Sequence, residues 1–377
     1  MSMTSSSRPA RGEDAAQRRS ARRRRLRRWA FALSLGLSLG LGEVAVRLWA
    51  PQRSAFSGHL LYRADPDLDY TLDPGHPEIN SRGLRDHERP LRKPAGVRRV
   101  LVLGDSFTYG ATPRDQTIAA ALQRRLGGTV DVINAGVPGW CPRQEVGWLV
   151  REGLAYEPDA IVLCYFVGND LEECLLPPLR SEDGELAPRG EVSAAHQLWR
   201  KLRTKSQLYM LLRRVPERIW LGLQGDDLET RRYHKIEHHR MSVCLPRESS
   251  QERWGKAWEL SRGYLTQLRE AAGERPVVLL LIPDEVQVDA ALRIAILARY
   301  GEQDRGYDWD MPQTQLRELA QELDFQVVDV LPELRRRTQA GERLYLPLDS
   351  HWNAAGNDCA ARALAEASAL RSLAAPR

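Results

Sequence analysis

Three apolar runs constrain this chain more than anything else in it: VLVL (Val100–Leu103), AIVLCYFV (Ala160–Val167) and VVLLLI (Val277–Ile282). Each is short, uninterrupted and rich in branched residues, the mark of a strand covered on both faces. Two weaker strands, VDVIN (Val130–Asn134) and FQVVDV (Phe325–Val330), complete the set. Between them the apolar spacing becomes helical: QTIAAALQRRLG stops at Gly127–Gly128, and further helices are expected near Gln144–Leu154, Trp254–Ala272, Gln313–Leu323 and after Asn353. Strands alternating with helices predict an α/β fold, a doubly wound parallel sheet of about five strands. The rhythm breaks from about 171 to 250, which reads as a partly helical insertion, and the Pro-, Asp-, Arg- and Gly-rich residues 51–96 read as an irregular approach segment on the surface.

With 377 residues and 42% apolar content, the chain can build one catalytic-size domain with a tail and an insertion. The net charge of +5 is local, because ten arginines and only two acids lie between Arg8 and Arg28. The remainder is slightly acidic, which argues against a nucleic-acid partner. The basic tail, residues 1–28, leads into an uncharged stretch of fourteen residues, Trp29–Gly42, and the apolar pattern continues through Trp49. No small-x-small cleavage site follows Gly42, and Glu43 and Arg47 are spaced to pair on one helix face. These features favour an uncleaved transmembrane signal anchor at 29–50 over a cleaved signal peptide or a soluble amphipathic helix. The positive-inside rule then keeps the arginines in the cytoplasm and places everything after Pro51 outside, including the catalytic-size domain at 97–377.

Five cysteines, with no C-x-x-C pair, point to small core residues rather than a disulfide framework. HKIEHH (His234–His239) lacks the carboxylates or thiols that would complete a metal site, and an exposed polar helix is the better reading. The basic stretch HQLWRKLRTKSQLYMLLRRV has two readings, a membrane-surface helix or a lid packed through Trp199, Leu208 and Leu212, and the second is favoured.

Polar residues follow several strands. GDSFTYG begins at Gly104, NAGVPGW runs from Asn134 to Trp140, GND spans Gly168–Asp170, and LPLDSHWNAAG carries Asp349, His351 and Asn353. Alone, Ser106 fits either a strand-to-helix turn or a nucleophile. In a parallel sheet the carboxyl ends of the strands lie side by side, so Ser106, Gly139 and Asn169 converge. Acyl transfer needs a hydroxyl, a base, a group that orients the base, and donors for the oxyanion. Ser106, His351 and Asp349 supply the first three; the N–H groups of Ser106 and Gly139 and the amide of Asn169 supply the last. No metal or organic cofactor is required.

These blocks, Gly104-Asp105-Ser106, Gly139, Gly168-Asn169-Asp170 and Asp349-x-His351, resemble the SGNH, or GDSL, hydrolase superfamily across residues 98–370. The chain is most similar to bacterial membrane-anchored members. The resemblance implies a flavodoxin-like three-layer sandwich and hydrolysis of an acyl ester, with O-acyl transfer, lipid-ester hydrolysis and non-catalytic glycan binding as alternatives. The substrate is then an acylated small molecule, glycan or lipid. One departure stands out: the superfamily usually places its aspartate three positions before the histidine, where this chain has Leu348. The shorter Asp-x-His-Trp spacing is similar to that of proteins acting on polysaccharide O-acetyl groups. Phe107 and Tyr109 are candidate substrate-binding residues, as is Trp352, which reads either as a substrate platform or as packing on the last helix. Arg85, with Asn80 and Gly83, would bring the approach segment to the rim of the site, with a plain surface turn as the other reading. Asp105 and Asp170 are assigned to pinning loops, and Gly136 to the turn after the second strand.

Overall fold

The five-stranded sheet is present in a computed structural model of the chain, which describes residues 11–49, 61–176, 179–182, 185–188, 206–212 and 227–374. In chain order the strands are β1 (Tyr62–Asp65), β2 (Asp69–Leu72), β3 (Arg98–Gly104), β4 (Val130–Gly136), β5 (Ala160–Phe166), β6 (Leu179–Glu182), β7 (Glu185–Pro188), β8 (Val277–Ile282), β9 (Gln326–Asp329), β10 (Tyr345–Leu346) and β11 (Asp349–Trp352). β4-β3-β5-β8-β9 form the parallel sheet, and the rest pair as antiparallel hairpins: β1 with β2, β6 with β7, and β10 with β11. Every residue of β5 and of β8 is buried, as expected of central strands covered by helices on both sides.

The apolar residues divide by strand alternation. Val100, Val102, Val162 and Leu280 face one layer, with Ile118, Leu122 and Leu364; Leu101, Leu103, Leu163 and Leu279 face the other, with Trp148, Leu265 and Leu316. The helix expected from Trp254 begins earlier, at Arg247, and runs to Ala272.

The approach segment departs from expectation. Residues 61–72 form the β1–β2 hairpin, and Leu68, Tyr70, Leu72, Ile79 and Leu84 are buried in the second layer. Its polar composition hid this because the apolar residues are scattered among turn formers. Arg89 and Arg99 both bind Asp131, which fastens the segment that follows the hairpin to β4.

The chain separates into two compact units, residues 58–190 with 227–377, and residues 1–57 with 191–226. In the second, the helix Arg11–Trp49 contains a stretch, Arg22–Trp49, long and apolar enough to cross a membrane. Glu43 pairs with Arg47 at 2.8 Å and accepts from the N–H groups of Gln207 and Leu208, both at 2.9 Å, capping the helix Gln207–Leu212. Leu208 also packs on Gly42. Trp199 and most of the basic stretch around it lie outside the described residues.

Gly136 ends β4 directly beneath the backbone of the short helix Ser106–Tyr109. A Cβ there would stand 2.2 Å from the Tyr109 nitrogen, so its role is to admit a close approach rather than to make a turn. Gly136→Ala is expected to destabilise the fold by about 1–3 kcal/mol or more, since backbone rather than a side chain must yield. Urea unfolding of the two proteins measures it, and an unchanged midpoint would refute the packing argument.

Candidate active site

Ser106 sits just beyond β3, at the carboxyl edge of the sheet. The buried Asp105 caps the helical turn that starts at Ser106, its Oδ1 accepting from the Phe107 N–H at 2.9 Å. Ser106 itself remains partly exposed. Asn134 secures the arrangement from β4, donating to the Thr108 carbonyl at 2.9 Å and accepting from the Gly136 N–H at 3.0 Å.

The residues Asp349-Ser350-His351-Trp352 are β11, and this accounts for the short spacing. In a strand, side chains two apart share a face. Asp349 and His351 are half-exposed on one side, while Ser350 and Trp352 are buried on the other. His351 Nδ1 lies 2.6 Å from Asp349 Oδ1, and His351 Nε2 lies 2.7 Å from Ser106 Oγ. Burial opposes ionisation of Asp349, but hydrogen bonding to His351 and the attraction of its ring outweigh it and hold the carboxyl below the ordinary aspartate range. Leu348, at the position where aspartate was expected, is exposed in the left-handed region with φ 53° and takes no part.

The expected oxyanion donors Gly139 and Asn169 lie on two loops. Gly139 has φ 76°, and a Cβ on it would approach the Tyr70 hydroxyl to 2.7 Å. Tyr70 donates to the Pro138 carbonyl at 3.1 Å and accepts at its own carbonyl from Trp140 Nε1 at 3.1 Å, so the β1–β2 hairpin braces this loop. Among the described residues, no carbonyl engages the N–H of Ser106 or of Gly139. Asn169 Nδ2 donates to Glu173 Oε1 at 3.0 Å. Asp170 accepts from the Phe166 N–H at 2.8 Å and pins the end of β5.

The candidate substrate residues are placed differently. Trp352 is 1% exposed and packs edge-on against Phe107, so it is a core residue and no platform for a sugar. Phe107 is buried as well, wedged between Phe166 and the His351 ring at centroid distances of 4.4 and 5.0 Å, where it supports the imidazole from behind. Arg85 does not reach a substrate and is no surface turn: its guanidinium is buried, donates to the carbonyls of Tyr109, Gly110 and Thr112, and pairs with Glu78. Tyr109 is half-buried beneath that guanidinium, 4.7 Å from ring centroid to Cζ. Asn80 holds its own loop, accepting from the N–H groups of Arg82 and Leu84. The histidines diverge: His234 meets Arg299, His238 stacks on Tyr300 and binds Glu302, and His239 binds Glu172. All five cysteines are buried free thiols.

Sequence reasoning missed two groups around the site. Arg240, from the insertion helix Leu228–Arg240, bonds Ser350 and lies over the Phe166 ring. Nothing in the sequence pattern set it apart from its basic neighbours. Glu145, on the helix Pro142–Arg151, is fully buried, and neither of its carboxyl oxygens has a hydrogen-bond partner among the described residues. With the buried Asp105 and Asp170 and the partly exposed Glu173 it makes a set of mutually repelling acids. Burial, reinforced by mutual repulsion, raises Glu145, Asp170 and Glu173 well above the usual carboxylate range, and burial raises Asp105 as well.

Residues 256–376, which include Asp349 and His351, match the family model described as "SGNH hydrolase-like domain, acetyltransferase AlgX". Over those residues the chain is similar to an SGNH hydrolase-like domain. None of the curated proteins matches the chain. Similar solved structures include a lipase/acylhydrolase from Enterococcus faecalis (15% identity, 74% of this chain and 96% of that one, TM-score 0.39). An acetyl xylan esterase, AlAXEase, aligns at 15% identity over 71% of this chain and 97% of its own, with a TM-score of 0.39. A two-domain esterase active on acetylated mannans aligns at 12% identity over 75% and 52%, with a TM-score of 0.38.

The buried acids give the folded chain a pH signature. A carboxyl whose folded pKa is raised keeps its proton after the unfolded chain has lost it, so stability falls as pH rises above the ordinary carboxylate range. The slope is about 1.4 kcal/mol per pH unit for each such proton. Thermal unfolding is expected to show a lower midpoint at pH 8 than at pH 5.5, and Glu145→Gln to flatten that fall. Equal slopes in the two proteins would show that Glu145 is not held as the acid.

Proposed function

We propose that the chain is a serine-dependent acyl-ester enzyme working by a covalent acyl-enzyme. The observation that carries this reading is the continuous relay Asp349–His351–Ser106, with hydrogen bonds of 2.6 and 2.7 Å. Ser106 Oγ attacks the acyl carbonyl and gives its proton to His351 Nε2. Asp349, holding Nδ1, fixes the tautomer and stabilises the imidazolium. The oxyanion receives the N–H groups of Ser106 and Gly139 and one amide N–H of Asn169, released from its carboxyl partner. As the tetrahedral adduct collapses, the C–O bond to the alcohol breaks and His351 returns the proton to the leaving oxygen. Water, deprotonated by the same histidine, then attacks the acyl-Ser106 ester and frees the acid.

The acyl group we assign is acetyl carried on a glycan hydroxyl, in keeping with the acetyltransferase description of the matching family. A second reading, transfer in which a sugar hydroxyl replaces water, draws on a cavity of about 870 Å³ lined by Arg231, Lys235, Arg253, Arg305 and Tyr307. Its wall includes His239, the residue before Arg240, so an extended acceptor held there would lie along the insertion helix. We assign the apolar helix Arg22–Trp49 as a signal anchor in a bacterial cytoplasmic membrane with the catalytic domain outside. Its leucines are exposed over most of its length, as in a helix whose solvent is lipid.

A fluorophosphonate probe tests the mechanism. The full-length chain is expected to be labelled, Ser106→Ala not at all, and His351→Ala slower by about 10²–10⁴-fold. Labelling of Ser106→Ala at the native rate would remove the mechanism. Acetate release from an acetylated oligosaccharide, with and without a free oligosaccharide acceptor, separates hydrolysis from transfer.

A further inference from the structure

The strand geometry that brings Asp349 beside His351 turns the residue between them inward, and what receives it comes from the insertion. Ser350 Oγ is bonded by Arg240 and lies 3.1 Å from Glu237 Oε1, while Arg240 Nη1 is 3.0 Å from that same carboxyl oxygen. The three groups close a triangle. Glu237 is fully buried and the Arg240 side chain is 19% exposed, so the contacts are made largely out of water, where polar partners hold one another strongly.

The same helix end also touches the donor loop. Arg240 lies 3.9 Å from Asp284, and a Cβ on Gly168 would stand 2.5 Å from the Oδ2 of that aspartate, so Asp284 presses on the residue before Asn169. His239 Nε2 reaches Glu172 Oε1 at 2.9 Å, on the helical turn that Asn169 caps. Arg240 also covers the ring of Phe166, 5.3 Å from its centroid, and Phe166 ends β5 immediately below this loop and packs on Phe107. The last turn of the insertion helix therefore contacts the base-bearing strand on one side and the donor loop on the other. These two segments are not neighbours in the chain, and β5 and β11 are not paired with each other.

The geometry points to Arg240 and Glu237 as positioning residues that grip Ser350 and so fix His351 against both Ser106 and the Asn169 loop. This rests on the acyl-enzyme reading above. Arg240 touches no reacting atom in this arrangement; it acts through the β11 backbone. One guanidinium nitrogen, Nη1, serves Ser350 and Glu237 together, while the flat face of the group covers the Phe166 ring, a contact that a lysine ammonium makes only as a compact point charge. Displacing a catalytic group by about 1 Å costs on the order of 10²-fold in rate.

The test uses the full-length chain in detergent with p-nitrophenyl acetate, comparing Arg240→Met, Arg240→Lys, Ser350→Ala and the double variant Arg240→Met/Ser350→Ala, with Ser106→Ala as reference. Arg240→Met and Ser350→Ala are each expected to lower kcat by about 10–100-fold with KM unchanged. Arg240→Lys should recover part of the loss, and the double variant should be no worse than the worse single one, because both break the same link. If KM rises while kcat holds, Arg240 is a substrate contact; if the single losses multiply, the residues act separately; either result overturns the proposal. Should Arg240→Met fail to fold, Ser350→Ala decides alone: native kcat in that variant ends the proposal. Native turnover in Ser106→Ala instead overturns the acyl-enzyme reading, a result that cannot be confused with the others.

Discussion

The hydrogen bond between His351 and Ser106 joins residues 245 apart in the chain, and the surrounding structure serves to keep it at 2.7 Å. On the serine side, the short helix is seated on Gly136, so that β4 and β3 fix its height. On the histidine side, the ring is backed by Phe107, which itself rests on Phe166 at the end of β5. Three adjacent strands of one parallel sheet thus set both ends of a single contact. A close-packed interior resists deformation, which is what a reaction needing sub-ångström alignment demands.

Much of the fold was legible because parallel strands buried on both faces cannot hide: VLVL, AIVLCYFV and VVLLLI leave no other reading. Strand order is also why Ser106, Gly139 and Asn169 are expected at one edge of the sheet, whereas His351 lies on β11, outside that sheet, and reaches Ser106 from the β10–β11 hairpin. What escaped was carried by residues whose type is ambiguous. Tyr70 and Leu84 sit among prolines, aspartates and glycines, so their burial beneath the sheet leaves no periodic trace. Arg85, a cation beside a predicted rim, reads from sequence as a ligand contact or a surface turn; in the structure it is buried and donates to three loop carbonyls. Trp352, next to the histidine, faces inward because adjacent residues of a strand point to opposite sides.

The buried acids show that stability has been given up near the site. Glu145 has no partner for either oxygen, and Glu173 and Asp170 each leave one oxygen unmatched among the described residues. Burying a carboxyl in this way is costly even when it is neutral. Held as neutral acids, they orient a neighbouring amide without adding negative charge beside it. Asn169 bonded to Glu173 is the visible instance. Strain of this kind is expected where chemistry rather than stability has set the residue.

The shortened Asp-x-His spacing follows from the same logic. An acid three residues before its base needs a turn to bring the two together; an acid two residues before it needs only an extended strand. The strand solution has a structural consequence that the turn does not. It forces the intervening residue to the opposite face, and that face must be polar enough, or well enough packed, to receive it. Here the receiver is the Glu237–Arg240 end of a helix belonging to the insertion. An insertion that a sequence reading sets aside as an appendage is therefore tied to the catalytic strand by its own geometry. Leu348 marks the boundary: with φ 53°, it turns the chain just before β11 begins, so that the strand starts with Asp349 on the same face as His351. Moving the aspartate to position 348 would place it in that left-handed turn, exposed and on the wrong side of the strand, which is why the two spacings are not interchangeable within one backbone.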